Sequence, residues 1–217
     1  MRTFGPAEFW FILEAAKWTL ALSAIAFVGG GIVGLAVALS RTSTSKLLRA
    51  VATLFIQIFQ GTPLLLQLFL IFFGAPIVGL DINPWIAASV ALILNSGAFL
   101  GEIWRGCIQA IPRGQWEAAE ALSLSYGARM RDVILPQAFK IAVPPTVGYL
   151  VQIIKGTSLA AIIGFTEITR AGQIINNATF QPLLVFSVVA AIYFALCWPL
   201  SLLAAWMERR QAAALTR

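Results

Sequence analysis

From Trp18 to Leu39 the chain runs for 22 residues without a charge. At about 1.5 Å per residue, a helix of that length spans the hydrocarbon core of a bilayer. Lipid offers no partner for an exposed backbone amide, so a segment of this kind must satisfy its own hydrogen bonds, and an α-helix does so. Four further runs have similar length and character: residues 50–73, 82–101, 141–165 and 182–207. Hydrophobic residues make up 59% of the 217-residue chain and charged residues only 11%, where a soluble domain carries about 25% charged. The sequence therefore predicts an all-α integral membrane protein of five transmembrane helices. A short segment (1–13) precedes the membrane domain (14–210), and a tail (211–217) follows it. No short apolar core with a cleavage site precedes the first span, so that span is expected to remain as an anchor.

The net charge of +6 could suit nucleic acid, but the basic residues sit between apolar runs and read as topology signals, with no nucleic-acid partner. Arg41, Lys46 and Arg49 lie between the first and second spans. Arg105, Arg113, Arg129, Arg131 and Lys140 lie between the third and fourth. Arg209, Arg210 and Arg217 follow the fifth. With five spans these all fall on one side, which predicts an external N-terminus and a cytoplasmic C-terminus. The chain has no histidine and only two cysteines, Cys107 and Cys197, so neither a metal centre nor a disulfide framework is expected. None of its lysines (17, 46, 140 and 155) stands in a phosphate-binding G-x-x-x-x-G-K-[ST] loop. The chain is expected not to be an enzyme and to carry no cofactor.

Polar residues inside apolar spans then become informative. Lys155 is the single charge between Ile141 and Thr166. A charge at mid-depth costs about 2.5–3.5 kcal/mol on insertion scales, and such residues mark solute paths. Gln152 lies one turn before it, and Gly156, Thr157 and Ser158 follow. Asn95 and Ser96 fall midway along the third span, and Glu102 and Arg105, spaced i, i+3, close it. Gln57, Gln60 and Gln67 fall within about 80° of arc on a straight helix, and "GTP" at 61–63 interrupts that same span. Broken helices at membrane depth line cavities or are buried in protein. The expectation is a polar cavity whose ligands are Lys155, Thr157, Ser158, Gln152, Asn95, Gln67 and Glu102, with the ammonium facing a carboxylate. Interhelical hydrogen bonding is an equal reading for the amides, and for Glu102 a structural ion pair with Arg105 is the first reading and a ligand role the second. Gly30-x-x-x-Gly34 predicts a close helix–helix contact.

Residues 114–140 are too polar to span. Helix formers at Glu117–Leu122, turn residues at Ser123–Gly127 and a second short helix at Ala128–Leu135, ended by Pro136, predict a helix–turn–helix at the membrane surface. Its alanines would let it seat in a groove on another protein.

Taken in order, "GTPLLLQ" (61–67), "NSGAFLGEIWRGCIQAIPRGQWEAAEAL" (95–122), "VILPQA" (133–138) and "KGTSL" (155–159) resemble the membrane subunits of type I ABC importers, the binding-protein-dependent, MetI-like permeases with an EAA loop. The likeness is strongest to the histidine, glutamine and arginine uptake permeases. The resemblance implies a multi-pass protein of the bacterial inner membrane. It implies a second permease subunit, identical or paralogous, two separate ATPase subunits that hold ATP and magnesium, and an extracytoplasmic amino-acid-binding protein. It also implies that a coupling loop (113–138) contacts the ATPase through Glu117, Ala118, Ala119, Leu122, Ser123, Gly127, Leu135 and Pro136. Three positions depart from the family pattern. Ser123 stands where glycine is usual, with Gly127 expected to take over the turn. Gln60 stands where arginine is usual, and Gly156 replaces the aspartate of "KDTSL". Losing that carboxylate argues against a cationic solute. The alternative is a self-sufficient secondary transporter or channel, but the inverted repeat that would support it is not visible.

Overall fold

The computed structural model describes residues 3–215. The first two residues of the N-terminal segment and the last two of the tail, Arg217 among them, lie outside the described residues. All regular structure among the described residues is helical. Helix α1 (Pro6–Thr42) is followed by α2 (Lys46–Gly61), α3 (Leu64–Gly74) and α4 (Pro84–Gln109). Then come α5 (Arg113–Ala121), α6 (Tyr126–Ala128), α7 (Leu135–Gly156), α8 (Ile168–Thr179) and α9 (Pro182–Leu215). Ser45 caps α2 by accepting from Leu48 N–H, and Asn83 caps α4 by accepting from Ile86 N–H, with Pro84 just inside the helix.

Among the described residues, four helices are long and apolar enough to cross a membrane, and α2 with α3 forms a fifth candidate bent by 100°. The packing decides how that bent pair counts. The start of α1 (Ile12, Ala15, Ala16) shares an apolar cluster with α8 and the start of α9 (Val185, Val189). The end of α1 (Ala38) shares another with the end of α4 (Ile108) and the start of α7 (Ala138). Near the end of α9, the Gln211 side chain donates to the Lys140 carbonyl at 3.1 Å. The first and last helices therefore begin at one face and finish at the other, which requires an odd number of passes. The bent pair supplies the second of five.

The axis of the fold is the α1–α4 pair. A Cβ on Gly30 would lie 2.6 Å from Ser96 Cβ, and one on Gly34 would lie 3.0 Å from Gly101 N. The facing Gly97 and Gly101 are filled by Val33 and Val37, so two small-x-x-x-small stripes interlock. The contact expected at Gly30 and Gly34 is present, with its partner stripe on α4. Trp104 Nε1 donates to Thr146 Oγ1 at 2.8 Å and ties α4 to α7.

The surface segment differs from expectation in two ways. The second helix does not stop at Pro136; it continues into α7 and on to Gly156. A π-helical turn at residues 129–134 precedes it. That wider turn delivers Pro136 to the first turn of α7, where a missing N–H is tolerated. Nor does Gly127 make the turn. Ser123 does, in the left-handed region at φ 55°, where a side chain costs about 1–2 kcal/mol.

Candidate functional site

The break between α2 and α3 follows from Pro63. In a continuous helix its N–H would bond the Phe59 carbonyl, and proline has none. Of the carbonyls freed at this point, two are taken by side chains. Gln67 Nε2 donates to Phe59 O at 2.8 Å, to Thr62 O at 3.0 Å and to Thr62 Oγ1 at 2.9 Å. Asn95 Nδ2, reaching from α4, donates to Phe59 O at 3.3 Å and to Gln67 Oε1 at 3.2 Å. Both amides are buried, and their donors are spent on the break. The glutamine stripe is not one face: Gln57 is exposed, Gln67 is buried, and Gln60 donates to Ala98 O at 3.2 Å. The bend of 100° separates residues that a straight helix would have aligned.

Lys155 lies in the last turn of α7, where the chain tightens into a 3-10 segment at Thr157–Ile163. Lys155 is exposed on the single chain and borders an open-sided cavity of about 240 Å³ against α9, lined also by Tyr193, Phe194, Cys197, Trp198 and Ser201. No carboxylate of the described residues lies within 4.0 Å of its ammonium, since the ion pairs found there involve other residues. Gln152 is exposed one turn before it. Ser158 Oγ donates to the Lys155 carbonyl at 2.7 Å, and the buried Thr157 hydroxyl donates to Ile154 O at 2.7 Å. These two hydroxyls shape the helix end. A Cβ on Gly156 would meet Leu64 Cδ2 at 3.3 Å and Leu92 Cδ2 at 3.6 Å, so that position packs against apolar side chains of α3 and α4. Glu102 is not gathered to Lys155. It holds Arg105 in a two-point pair, at 2.9 Å from Nε and 2.5 Å from Nη2. A larger cleft of about 730 Å³ between α1, α4 and α7 is apolar apart from Trp104 and Thr146, which bond each other. It offers nothing to a polar solute.

A group that the sequence reading missed lies beside the lysine cavity. Glu167 is fully buried and caps α8, accepting from Thr169 N–H and Arg170 N–H at 2.9 Å each. Tyr193, from α9, donates its hydroxyl to the same carboxylate at 2.5 Å. Burial pushes the Glu167 carboxyl above its ordinary range, and the donors from Tyr193, Thr169 and Arg170 pull it part of the way back. The run "TEIT" (166–169) carries a helix-start signal that could have located α8. Nothing local marks Tyr193 as its partner.

On the surface segment, Glu117, Ala118, Leu122, Ser123, Gly127 and Pro136 are exposed and Leu135 is half-buried. Leu122, just past the end of α5, is 74% exposed. Ala119, expected to face a partner, is instead 2% exposed and packed against its own chain. With 3.6 residues per turn, the two alanines cannot share a face.

Residues 30–213 match the family described as binding-protein-dependent transport system inner membrane component. The chain is similar to the L-cystine transport system permease protein TcyB of Bacillus subtilis, 38% identical over 96% of this chain and 93% of that one. It is also similar to the glutamine transport system permease protein GlnP of Escherichia coli K12, 38% identical over 92% of each. Among solved structures, an amino acid ABC transporter crystallised with histidines superposes with a TM-score of 0.86 at 36% identity, covering 92% of this chain and 94% of that one. Helical passes, a polar surface segment and these likenesses agree: the chain belongs to the family of binding-protein-dependent transport system inner membrane components and is a permease subunit of an ABC importer.

Proposed function

We propose that this permease carries a polar amino acid inward, with Lys155 receiving its carboxylate. The observation that carries the reading is a lysine without a carboxylate partner among the described residues, set in a small cavity beside α9. A membrane-embedded ammonium needs a counter-charge or water, and an arriving carboxylate supplies the first. Ser201 and Tyr193 add hydroxyls to the cavity wall, while Phe194 and Trp198 add apolar surface. Gln152 and Ser158 are the nearest polar neighbours along α7. Asn95, Gln67 and Glu102 are assigned to holding the broken span and to pairing Arg105 instead. The names of the relatives, which carry cystine and glutamine, support an amino acid as solute.

In this reading the N-terminus is external and the C-terminus cytoplasmic. A second permease subunit completes the path, and an extracytoplasmic binding protein delivers the solute. Two ATPase subunits, holding ATP and magnesium, seat the face formed by Glu117, Ala118, Leu122 and Ser123. ATP-driven closure would bias the permease between two access states by binding one better than the other.

The test is reconstitution of the whole importer with its ATPase and binding protein. ATPase stimulation is screened with each of the twenty amino acids, for the wild type and Lys155→Ala. Stimulation by a polar amino acid, with uptake at sub-saturating solute strongly reduced in Lys155→Ala, is the expected result. Equal uptake by both proteins would return Lys155 to a structural role.

A further inference from the structure

Tyr193 takes part in two arrangements at once. It lines the lysine cavity. Its hydroxyl is held by Glu167 at 2.5 Å, and Glu167 is the cap of α8. The start of α8 lies deep in the protein: Ile168 N–H donates to Thr19 Oγ1 of α1 at 3.3 Å, and both residues are fully buried. Thr169 Oγ1 adds a second contact to the Tyr193 hydroxyl at 3.3 Å. No cation of the described residues lies within 4.0 Å of Glu167. Its charge is therefore balanced by the two N–H groups, the phenol and the positive end of α8 itself.

The other contacts of α8 are of a different kind. Ile168 and Ala171 pack on Ile12, Ala15 and Ala16 of α1, and Gly172 lies against Val189 of α9. Apolar contacts of small side chains are non-directional. The hydrogen bonds at Glu167, together with that from Ile168 N–H to Thr19, are the directional contacts that set the position of the helix start.

We propose that Tyr193 is a positioning residue that fastens the start of α8 to the wall of the lysine cavity, so that solute in the cavity and the placement of α8 are linked. The inference rests on the cavity being the solute site. A ligand shifts an equilibrium only through contacts that differ between the two states. Tyr193 provides such a contact, because moving its side chain moves the hydroxyl relative to the carboxylate.

The test uses the assembled importer in lipid nanodiscs and proteoliposomes as wild type, Tyr193→Phe, Glu167→Gln and Lys155→Ala. Hydrogen exchange is read at the Thr169 and Arg170 amides. KM and maximal uptake rate are read with whichever of the twenty amino acids the wild type takes up fastest. Tyr193→Phe keeps the ring and loses the bond. It is expected to speed exchange at both amides about ten-fold or more, and to lower the maximal rate about five-fold or more with KM within about two-fold. Glu167→Gln is expected to do the same, and is read alone if Tyr193→Phe fails to assemble. Unchanged exchange, or an unchanged maximal rate, overturns the proposal. Lys155→Ala is expected to raise KM and leave α8 exchange as it is. An unchanged KM there removes the solute site, while the comparison at α8 still decides the fastening.

Discussion

Removing the Gln67 amide should destabilise the permease only because Pro63 is present. In Gln67→Leu, Thr62 O loses its side-chain donor, and Phe59 O keeps only the Asn95 bond at 3.3 Å. Asn95 also loses its acceptor on Gln67. A buried carbonyl left unsatisfied costs about 1–3 kcal/mol, and interhelical bonds in membranes contribute about 0.6–1.7 kcal/mol. A loss of about 2 kcal/mol is therefore expected. For a chain of this size that lowers Tm by about 4–8 °C. Pro63→Ala restores an N–H able to reach Phe59 O, so the same Gln67→Leu change should cost less than about 1 kcal/mol in that background. The assay is a double-mutant cycle on the purified permease in nanodiscs, read by thermal or steric-trap unfolding. Equal cost in both backgrounds would refute the claim that Gln67 serves the proline break.

Ser123→Gly should raise stability by about 0.5–1 kcal/mol, the left-handed penalty less the entropy of glycine, and an unfolding midpoint at or below wild type would count against it. Gly30→Ala should cost about 1–3 kcal/mol, because its new Cβ meets Ser96 Cβ at 2.6 Å, whereas Gly106→Ala, with open space around it, should be neutral or stabilising; similar effects of the two would undo the interlocked-stripe reading. The raised Glu167 carboxyl gives a pH dependence of defined sign. Between its unfolded value, about 4.3, and its higher folded value the native state holds the extra proton. Its stability contribution is thus full below the unfolded value and is lost as pH rises through the folded one. Midpoints measured across that window should fall for wild type relative to Glu167→Gln; parallel curves would contradict the assignment. Glu117→Lys, on the exposed face of α5, should reduce co-purification of the ATPase, and full recovery with normal uptake would show that the coupling face lies elsewhere.

How much was legible in the chain depends on the distance over which each interaction acts. Uncharged runs the length of a bilayer determined helices at residues 18–39, 82–101 and 182–207, because lipid forces the backbone to satisfy itself. Gly30 and Gly34 already announced a close contact, since only small residues let two helix backbones meet. The placement of basic residues predicted an alternation that needs an odd number of passes, and the packing gives an odd number. The roles of Asn95, Gln67 and Glu167 were not legible. Helical periodicity assigns residues to a face only while the axis is straight, and Pro63 resets it. The partners that decide these roles lie far off in the chain: Phe59 is 36 residues from Asn95, and Tyr193 is 26 from Glu167. The sequence by itself determined that the chain crosses a membrane, where it does so, and that one lysine stands inside. Only the tertiary structure decided which polar groups are taken up by partners inside the protein, because a buried amide or carboxylate goes to the nearest unsatisfied partner, and proximity is a property of the packed helices.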